Sequence, residues 1–497
     1  MANLPKSGWN KSKACVNCKK RKIRCDLKEP QCGQCARSMN FQDCEYVEAG
    51  RSTTQILEER IAGMEARIRD LRPQAQETSP SSTAIFLENA TQFGYFLNTA
   101  ATTPALAGTI ELWAMHYSNL TAADTSELSY LARAQQATAD ALSPPLRPSS
   151  PSPYRSIPVS HPHDHQRIVI ETIQSHVLLA TYFFRNMRAL EAKYQLGVAV
   201  GLVLGAGMQK RLPVESADRV NAFWTVYAMD CCWTAADGSA SNFPQELQAQ
   251  VDVPWPHSTS NNPDGVGTIT AFLASYSTAG TSPDALRVKA AILFERATRL
   301  IDRHRLSPRS YRRSSHVFLV PTYYPPAMPP DELNNFLLAF TNIDAVIQQF
   351  RQSLPQAPQE YAGLLAHVLV CVAAIKLHNP FIAEADMSRQ RVLDAAQDVV
   401  TGLQSAQALN LTDVDPIMGT LLTTTVDALV SAIALRQAQQ RSSPSSTGRS
   451  RAGLDSTEVS LRTGVERVLE TMHVWGQRSK LMASQLSMLQ ERYHRLM

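Results

Sequence analysis

Six cysteines near the N-terminus are the residues whose types and spacing could do chemistry in this 497-residue chain. They follow the pattern C-x2-C-x6-C-x6-C-x2-C-x8-C and occupy positions Cys15, Cys18, Cys25, Cys32, Cys35 and Cys44. Thiolates suit Zn²⁺, and a C-x2-C pair can turn two sulfurs toward one ion. Six sulfurs could hold one tetrahedral zinc with two left over, or two zincs that share two bridging sulfurs. No histidine lies within the segment, so we predict an all-thiolate cluster with two Zn²⁺ per chain.

A disulfide framework is the alternative, because six cysteines in a short segment also suit a small secreted domain. The first residues, MANLPKSGWNKSKAC, contain lysines but no apolar segment of the kind found in a secretory signal. Disulfides do not persist in a reducing compartment. The sequence therefore favours zinc over disulfides.

A run of cations lies between the second and third cysteines. Five of its six residues are basic, namely Lys19, Lys20, Arg21, Lys22 and Arg24. Residues 1–47 carry ten Lys or Arg and four Asp or Glu, a net charge of +6, whereas the whole chain carries +4 and the remainder therefore −2. Such a run could be a solvated surface or a nuclear localisation signal. Inside a thiolate cluster it indicates a surface for nucleic acid.

The segment CVNCKKRKIRC resembles the DNA-binding domain of fungal binuclear zinc-cluster transcription factors. The resemblance covers residues 14–46, and Pro30 corresponds to the proline of the family's central loop. It implies that the first helix enters the major groove of double-stranded DNA and reads a CGG triplet. Lys22 matches the base-reading lysine, Arg21 is the second candidate, and Lys19, Lys20 and Arg24 would hold phosphates. Guanine N7 and O6 suit a cationic donor, whereas phosphate contacts set register.

A short apolar seam follows a linker at residues 48–56. Its members are spaced 4, 3, 4, 3 as in a heptad repeat: Leu57, Ile61, Met64, Ile68 and Leu71. Just over two heptads is short, and Gly63 weakens the helix, so a simple amphipathic helix is the alternative. Its place after a zinc cluster matches the family layout. We therefore predict a short coiled-coil dimerisation helix at residues 57–72 and a homodimer.

The remainder of the chain has helical periodicity and no sustained strand alternation. We predict a mostly α protein with a flexible linker at 73–83, a large all-helical domain at 84–437, a disordered linker at 438–456 and a C-terminal amphipathic helix at 457–497. Flexible insertions are expected at residues 143–165, 256–267 and 307–330. Residues 172–210, 219–256 and 364–381 resemble the all-helical fungal-specific transcription factor domain. The C-terminal helix could dock on this domain or bind a partner, and the resemblance favours docking.

The same remainder carries no catalytic signature. Ser-x-x-Lys, Gly-x-Ser-x-Gly and His-Glu-x-x-His are absent, so we expect no enzyme. The longest uncharged apolar runs, such as residues 368–375, are shorter than the ~20 residues that span a bilayer. We therefore expect no membrane association.

The resemblance to zinc-cluster regulators, together with the charge and motif observations, implies a sequence-specific transcription regulator of RNA polymerase II genes. It would act in the nucleus at CGG-type half-sites, with transcriptional co-regulators as candidate partners. The alternative is a zinc-dependent RNA-binding or chromatin adaptor protein. The cation run contains no interleaved aromatic residue, and recognition of single-stranded RNA usually needs aromatic stacking. Duplex DNA is therefore the favoured partner.

Overall fold

The computed structural model describes residues 14–37, 44, 46, 60–64, 80–97, 101–118, 125–142, 162–257, 267–275, 280–305, 330–355, 357–442 and 456–496. It divides into two compact units, Met1–Ser79 and Pro80–Met497. The predicted linker at 48–56 lies outside the described residues, and so do residues 73–79 of the predicted linker at 73–83 and most residues of the predicted insertions.

Two short helices contain four of the six cysteines of the first unit or are capped by them, α1 (Val16–Lys20) and α2 (Gly33–Ala36). Each helix begins after a cysteine whose sulfur caps it. The Cys18 backbone N–H donates to Cys15 Sγ at 3.5 Å, and the Cys35 N–H donates to Cys32 Sγ at 3.4 Å. The two C-x2-C pairs therefore fold in the same way. The loop between the helices contains a cis Glu29–Pro30 peptide bond.

The predicted dimerisation helix is described only at residues 60–64, which are helical. Ile61 and Met64 are 52% and 62% exposed in this single chain. Leu57, Ile68 and Leu71 lie outside the described residues. The coiled coil therefore stays a prediction.

The second unit is built of helices, and its described residues contain no strand. In the described part of this unit, 3-10 turns add to the helices at Ala90–Phe93, Asn379–Phe381, Ala406–Leu409 and Gly476–Arg478. The prediction of a mostly α protein is confirmed. The helices are α3 (Pro80–Asn89), α4 (Pro104–Ser118), α5 (Thr125–Asp140), α6 (Pro162–Arg185), α7 (Ala189–Gly205), α8 (Ala217–Asp237), α9 (Gln245–Gln248), α10 (Thr268–Ser275), α11 (Pro283–Arg305), α12 (Pro330–Ser353), α13 (Tyr361–His378), α14 (Asp386–Ser405), α15 (Ile417–Ser442), α16 (Ser456–Trp475) and α17 (Lys480–Leu496).

Helices α8 and α13 lie at the centre of this unit. Residues 222–235 of α8 and 368–375 of α13 are buried without interruption. A helix that is apolar all round must be enclosed by other helices. Accordingly α11 packs between α8 and α13, and α13 also contacts α12, α14 and α15.

Two of these core segments are long and apolar enough to cross a membrane by length and composition, Tyr361–Phe381 and Ile417–Ala438. The sequence analysis, which considered only uncharged apolar runs, did not identify these two segments. In the fold, 72% and 61% of their most apolar windows are buried within the protein. Buried core helices meet the same criterion, so their apolar character is explained by packing.

Several helix boundaries differ from the predicted ones. Helix α3 begins at Pro80 inside the predicted linker 73–83, and α6 begins at Pro162 inside the predicted insertion 143–165. Proline fits the first helical position because the N–H it lacks has no partner there. Helix α15 continues to Ser442 and α16 begins at Ser456, which shortens the predicted disordered linker.

The predicted C-terminal helix is two helices, α16 and α17, joined by the 3-10 turn at Gly476–Arg478. Both pack against α15, and α17 also contacts α6. The Trp475 indole N–H donates to the Leu411 carbonyl at 2.9 Å. Met472 and Met482 are fully buried. The C-terminal segment thus lies against the helical unit.

Candidate metal centre and nucleic-acid interface

Four buried sulfurs lie together between α1 and α2. They belong to Cys15, Cys18, Cys32 and Cys35, all lie within 4.8 Å of one another, and each residue is at most 2% exposed. Cys15 Sγ is 3.7 Å from the sulfurs of Cys32 and Cys35, and Cys18 Sγ is 3.6 Å from that of Cys32. A zinc tetrahedron with ~2.3 Å bonds has edges of about 3.8 Å. The sulfur spacing therefore fits zinc.

Cys25 and Cys44 complete the cluster from its two sides. The sulfur of Cys25 adjoins that of Cys18, and the sulfur of Cys44 adjoins that of Cys35. Cys25 is also within 4.8 Å of Cys32, whose backbone N–H donates to Cys44 Sγ at 3.3 Å. Cys15 and Cys32 lie between the two pairs. Their sulfurs can serve a metal on either side.

The protonation of these thiols shows how strongly they interact. Burial and the neighbouring sulfurs raise the pKa of Cys15 and raise that of Cys18 to about 12. Burial also opposes ionisation of Cys32, but hydrogen bonds from the Cys35 N–H and the surrounding thiols lower its pKa to about 6. Without metal, ionisation of one thiol disfavours ionisation of its neighbours. Bound Zn²⁺ ions would stabilise the thiolate form of every cysteine.

Two side chains near the cluster were missed by the sequence analysis. The Tyr46 hydroxyl donates to the Lys28 carbonyl at 2.9 Å and lies 3.8 Å from Cys25 Sγ. The Asp26 carboxylate accepts the Gly33 N–H at 2.9 and 3.1 Å and so holds the first turn of α2. A Cβ on Gly33 would lie 2.6 Å from that carboxylate. No local sequence signal marks such contacts, because they join positions far apart in the chain.

The cation run emerges at the C-terminal end of α1. Lys19 and Lys20 form its last turn, and all five cations are exposed. Two residues after the end of α1, Lys22 adopts the left-handed conformation with φ +52°. Its N–H donates to the Lys19 carbonyl at 3.3 Å. The Ile23 N–H closes the turn on the Cys18 carbonyl at 3.1 Å. This is a Schellman end, in which glycine is the usual residue at the position of Lys22.

The arrangement presents charged donors on a rigid support. The sulfurs fix both ends of the segment that carries the cations, because Cys18 and Cys25 flank it. Ammonium and guanidinium groups held in this way can contact phosphates and guanine edges. The structure thus brings together the cysteines and the five cations that the sequence analysis selected.

A Cys–His pair elsewhere in the fold is not a catalytic arrangement. On α13, Cys371 Sγ lies 3.9 Å from His367 Nε2. Burial raises the pKa of this thiol to about 12, and the same imidazole nitrogen lies 3.0 Å from the Asp398 carbonyl oxygen. An enzymatic nucleophile needs an accessible thiolate.

Residues 13–52 match the family model of the fungal Zn(2)-Cys(6) binuclear cluster domain. No curated protein and no solved structure matches the chain. The resemblance of the helical unit to a fungal-specific transcription factor domain therefore stays a prediction. Proteins with this cluster are DNA-binding transcription regulators, normally nuclear and typically without enzymatic activity. The matched segment contains all six cysteines and the whole cation run, and it is a domain that binds two zinc ions.

Proposed function

We propose that this protein is a sequence-specific regulator of RNA polymerase II genes that acts in the nucleus and reads CGG-type half-sites. The observation that carries the proposal is the exposed cation run on a six-sulfur cluster, within the segment that matches the family model. The net charge of +6 on residues 1–47 supports a polyanionic partner.

All six cysteines are the proposed zinc ligands. Cys15 and Cys32 lie between the other two pairs and bridge both ions. One ion then has Cys18 and Cys25 as its further ligands, and the other has Cys35 and Cys44. Each zinc obtains four thiolates in this way, which is the coordination of a structural zinc site.

The proposed DNA contacts divide by their position at the end of α1. Lys22 and Arg21 stand at the turn that ends the helix, and they donate to guanine N7 and O6. Lys19, Lys20 and Arg24 neutralise phosphates and set the register of the helix in the groove. Residues 57–72 join two such modules as a homodimer, and the linker before them sets the half-site spacing.

A role in binding single-stranded RNA has less support. Stacking on bases requires exposed aromatic rings. The described residues 14–37 contain no aromatic side chain, and their large exposed apolar side chains are Ile23 and Leu27.

Selection from a randomised duplex library tests the proposal on the full-length, zinc-loaded protein. We expect enrichment of CGG triplets, and binding that weakens steeply as salt rises because phosphate contacts release counterions. The cluster-disrupted variant Cys15→Ser is the control and should enrich no sequence. Preferential binding of single-stranded RNA, or enrichment of no motif by the wild type, would contradict the proposal.

A further inference from the structure

A cavity in the helical unit brings one cation and several carboxylates together with aromatic rings. It has a volume of about 220 Å³ and opens between the segment after α3, helices α8, α11 and α13, and the loop before α15. We call it the Arg287 cavity and define it by Tyr95, Trp224, Asp284, Arg287, Tyr361 and Asp415. Pockets for drug-sized ligands are typically ~300–1,000 Å³, so this cavity suits a small metabolite.

Arg287 is the arginine that lines this cavity. Its side chain is only 19% exposed, yet within the described chain its one ion pair is with Asp284, at a long 3.7 Å. A guanidinium has five N–H donors, and among the described residues the long contact with Asp284 is the one ion pair of Arg287, so donors are available to a ligand in the cavity. The geometry calls for an anion, and the planar fork of arginine matches a carboxylate.

The carboxyl group of Asp415 lines the same cavity and has the charge opposite to that of Arg287. Its Oδ1 accepts the Ile417 N–H at 2.9 Å, and its own N–H donates to the Tyr361 hydroxyl at 2.9 Å. Tyr361 therefore keeps its hydroxyl hydrogen for a further partner. Burial raises the pKa of the Asp415 carboxyl to about 6, and the nearby Arg287 and Arg185 oppose that rise.

The charges that line the cavity restrict the ligand further. Asp284, Glu360 and Asp415 contribute carboxylates, whereas the bases are Arg287 and His257, which lies 3.5 Å from Asp284. A ligand that brings only negative charge would meet three like charges. One that also carries an ammonium group would satisfy Arg287 and the carboxylates together.

The aromatic wall is already fixed. Trp224 is 1% exposed, donates its indole N–H to the Pro254 carbonyl and stacks on Trp255 with ring centroids 4.5 Å apart. Rings held in this way form a rigid apolar surface, and such surfaces beside a few converging polar groups are typical of ligand sites.

We propose that the Arg287 cavity binds a small amino acid or a similar zwitterion, with its carboxylate on Arg287 and its ammonium group beside Asp415. The ligand would join α8, α11, α13 and the loop before α15. This site lies in the helical unit and does not depend on the DNA-binding proposal.

Ligand-dependent melting of the full-length protein tests the site. The probes are the standard L-amino acids one at a time, compared with carboxylic acids that lack the amino group and amines that lack the carboxylate. Because a ligand that binds only the folded state stabilises it, at least one amino acid should raise the melting temperature of the helical unit saturably. Its two analogues should bind at least tenfold more weakly, since each leaves one charge of the cavity unpaired. Failure of every amino acid, or equal binding of an amine-free analogue, would overturn the proposal.

Two variants identify the groups. Arg287→Gln and Asp415→Asn should each weaken binding of the selected amino acid about tenfold or more, and Arg287→Lys should bind better than Arg287→Gln. The matched control is Arg303→Gln on the same helix, because Arg303 lines a different cavity. Undiminished binding by Arg287→Gln would overturn the assignment. If that variant does not fold, the comparison of analogues on the wild type decides.

Discussion

At the residue scale, Lys22 has a strained left-handed backbone conformation and is also a proposed base-reading residue. Its φ of +52° lies where a non-glycine residue costs about 1–2 kcal/mol. Glycine would close the same turn without that cost. A lysine at this position is explained if its ammonium group contacts a base.

The first prediction separates stability from readout at this residue. Lys22→Gly should stabilise the zinc-loaded N-terminal unit by about 1 kcal/mol, because it removes the left-handed strain. Both Lys22→Gly and Lys22→Ala should lose about 1–3 kcal/mol of preference for CGG over scrambled duplexes. Competition binding measures the preference for CGG, and hydrogen exchange measures the stability of the N-terminal unit.

Lys20→Ala is the matched control. It should weaken binding to all duplexes alike and reduce the salt slope by about 1, because it removes a phosphate contact. Wild-type discrimination by Lys22→Ala would show that this lysine does not read bases.

The second prediction concerns the hydroxyl of Tyr46, which holds the segment after Cys44 against the loop at Lys28. Groups just outside a metal's ligands typically contribute 10- to 100-fold to metal affinity. Tyr46→Phe removes the hydrogen bond and the contact with Cys25 Sγ, so chelators should extract zinc about tenfold faster. The exposed Tyr194→Phe is the control. Equal extraction rates would mean that Tyr46 has no part in holding the site.

At the element scale, short helices obtain their stability from what caps and covers them. Helices α1 and α2 have five and four residues, far below the length at which an isolated helix persists in water. Helices α16 and α17 are longer but depend on the surface of α15 and on polar contacts at their joint.

The joint between α16 and α17 contains a buried ionic network. Arg185 at the end of α6 pairs with Asp413, and its Nε donates to the Arg478 carbonyl at 2.8 Å. Arg478 reaches the other oxygen of Asp413 at 3.0 Å. Asp413 is fully buried, and Arg185 is 1% exposed. The network ties the C-terminal pair of helices to the N-terminal half of the helical unit.

The third prediction is that Asp413→Ala costs the helical unit about 3–5 kcal/mol, because it leaves Arg185 buried without its partner. Chemical denaturation measures the loss. The control is Glu491→Ala, which removes the exposed pair with Arg495 and should cost less than about 1 kcal/mol. Similar losses in the two variants would show that the network does not hold the joint.

The fourth prediction addresses the seam that contains Ile61. With 52% of its surface exposed in one chain, Ile61 would be covered in a dimer. Ile61→Glu should abolish cooperative binding to paired half-sites and leave affinity for a single half-site unchanged. Arg60→Gln alters the same helix at an exposed position outside the seam and should leave cooperativity intact. Binding curves on one-site and two-site duplexes report this, and persistent cooperativity in Ile61→Glu would place the dimer contact elsewhere.

At the scale of the whole molecule, the two units have different sources of stability. The helical unit has a continuous apolar core, whereas the buried apolar residues described in the first unit are its cysteines. A segment without a core of large apolar side chains must take its folding free energy from metal.

The fifth prediction follows from that difference. Chelation of zinc from the full-length protein should remove hydrogen-exchange protection in residues 14–46 and abolish DNA binding. The melting temperature of the helical unit should stay unchanged, since none of its proposed contacts uses zinc. Restored zinc should restore both protection and binding. Melting of the helical unit at a lower temperature after chelation would show that the units depend on each other.

The sequence by itself determined the features that local spacing encodes. Six cysteines at fixed intervals define a thiolate cluster whatever the rest of the chain does, and the cations between Cys18 and Cys25 must lie on it. Helical periodicity predicted the mostly α fold for the same reason. Prolines misled the prediction at Pro80 and Pro162, because the same residue begins a helix or interrupts one according to its surroundings.

Only the tertiary structure decided which groups meet across long separations in sequence. It placed Cys15 and Cys32 at the middle of the cluster, set Tyr46 against Lys28, and broke the C-terminal helix at the turn where Arg478 reaches Asp413. It also enclosed Arg287 and Asp415, 128 positions apart, in one cavity. Contacts of this kind arise from the packing of whole helices, which no local pattern of residues records.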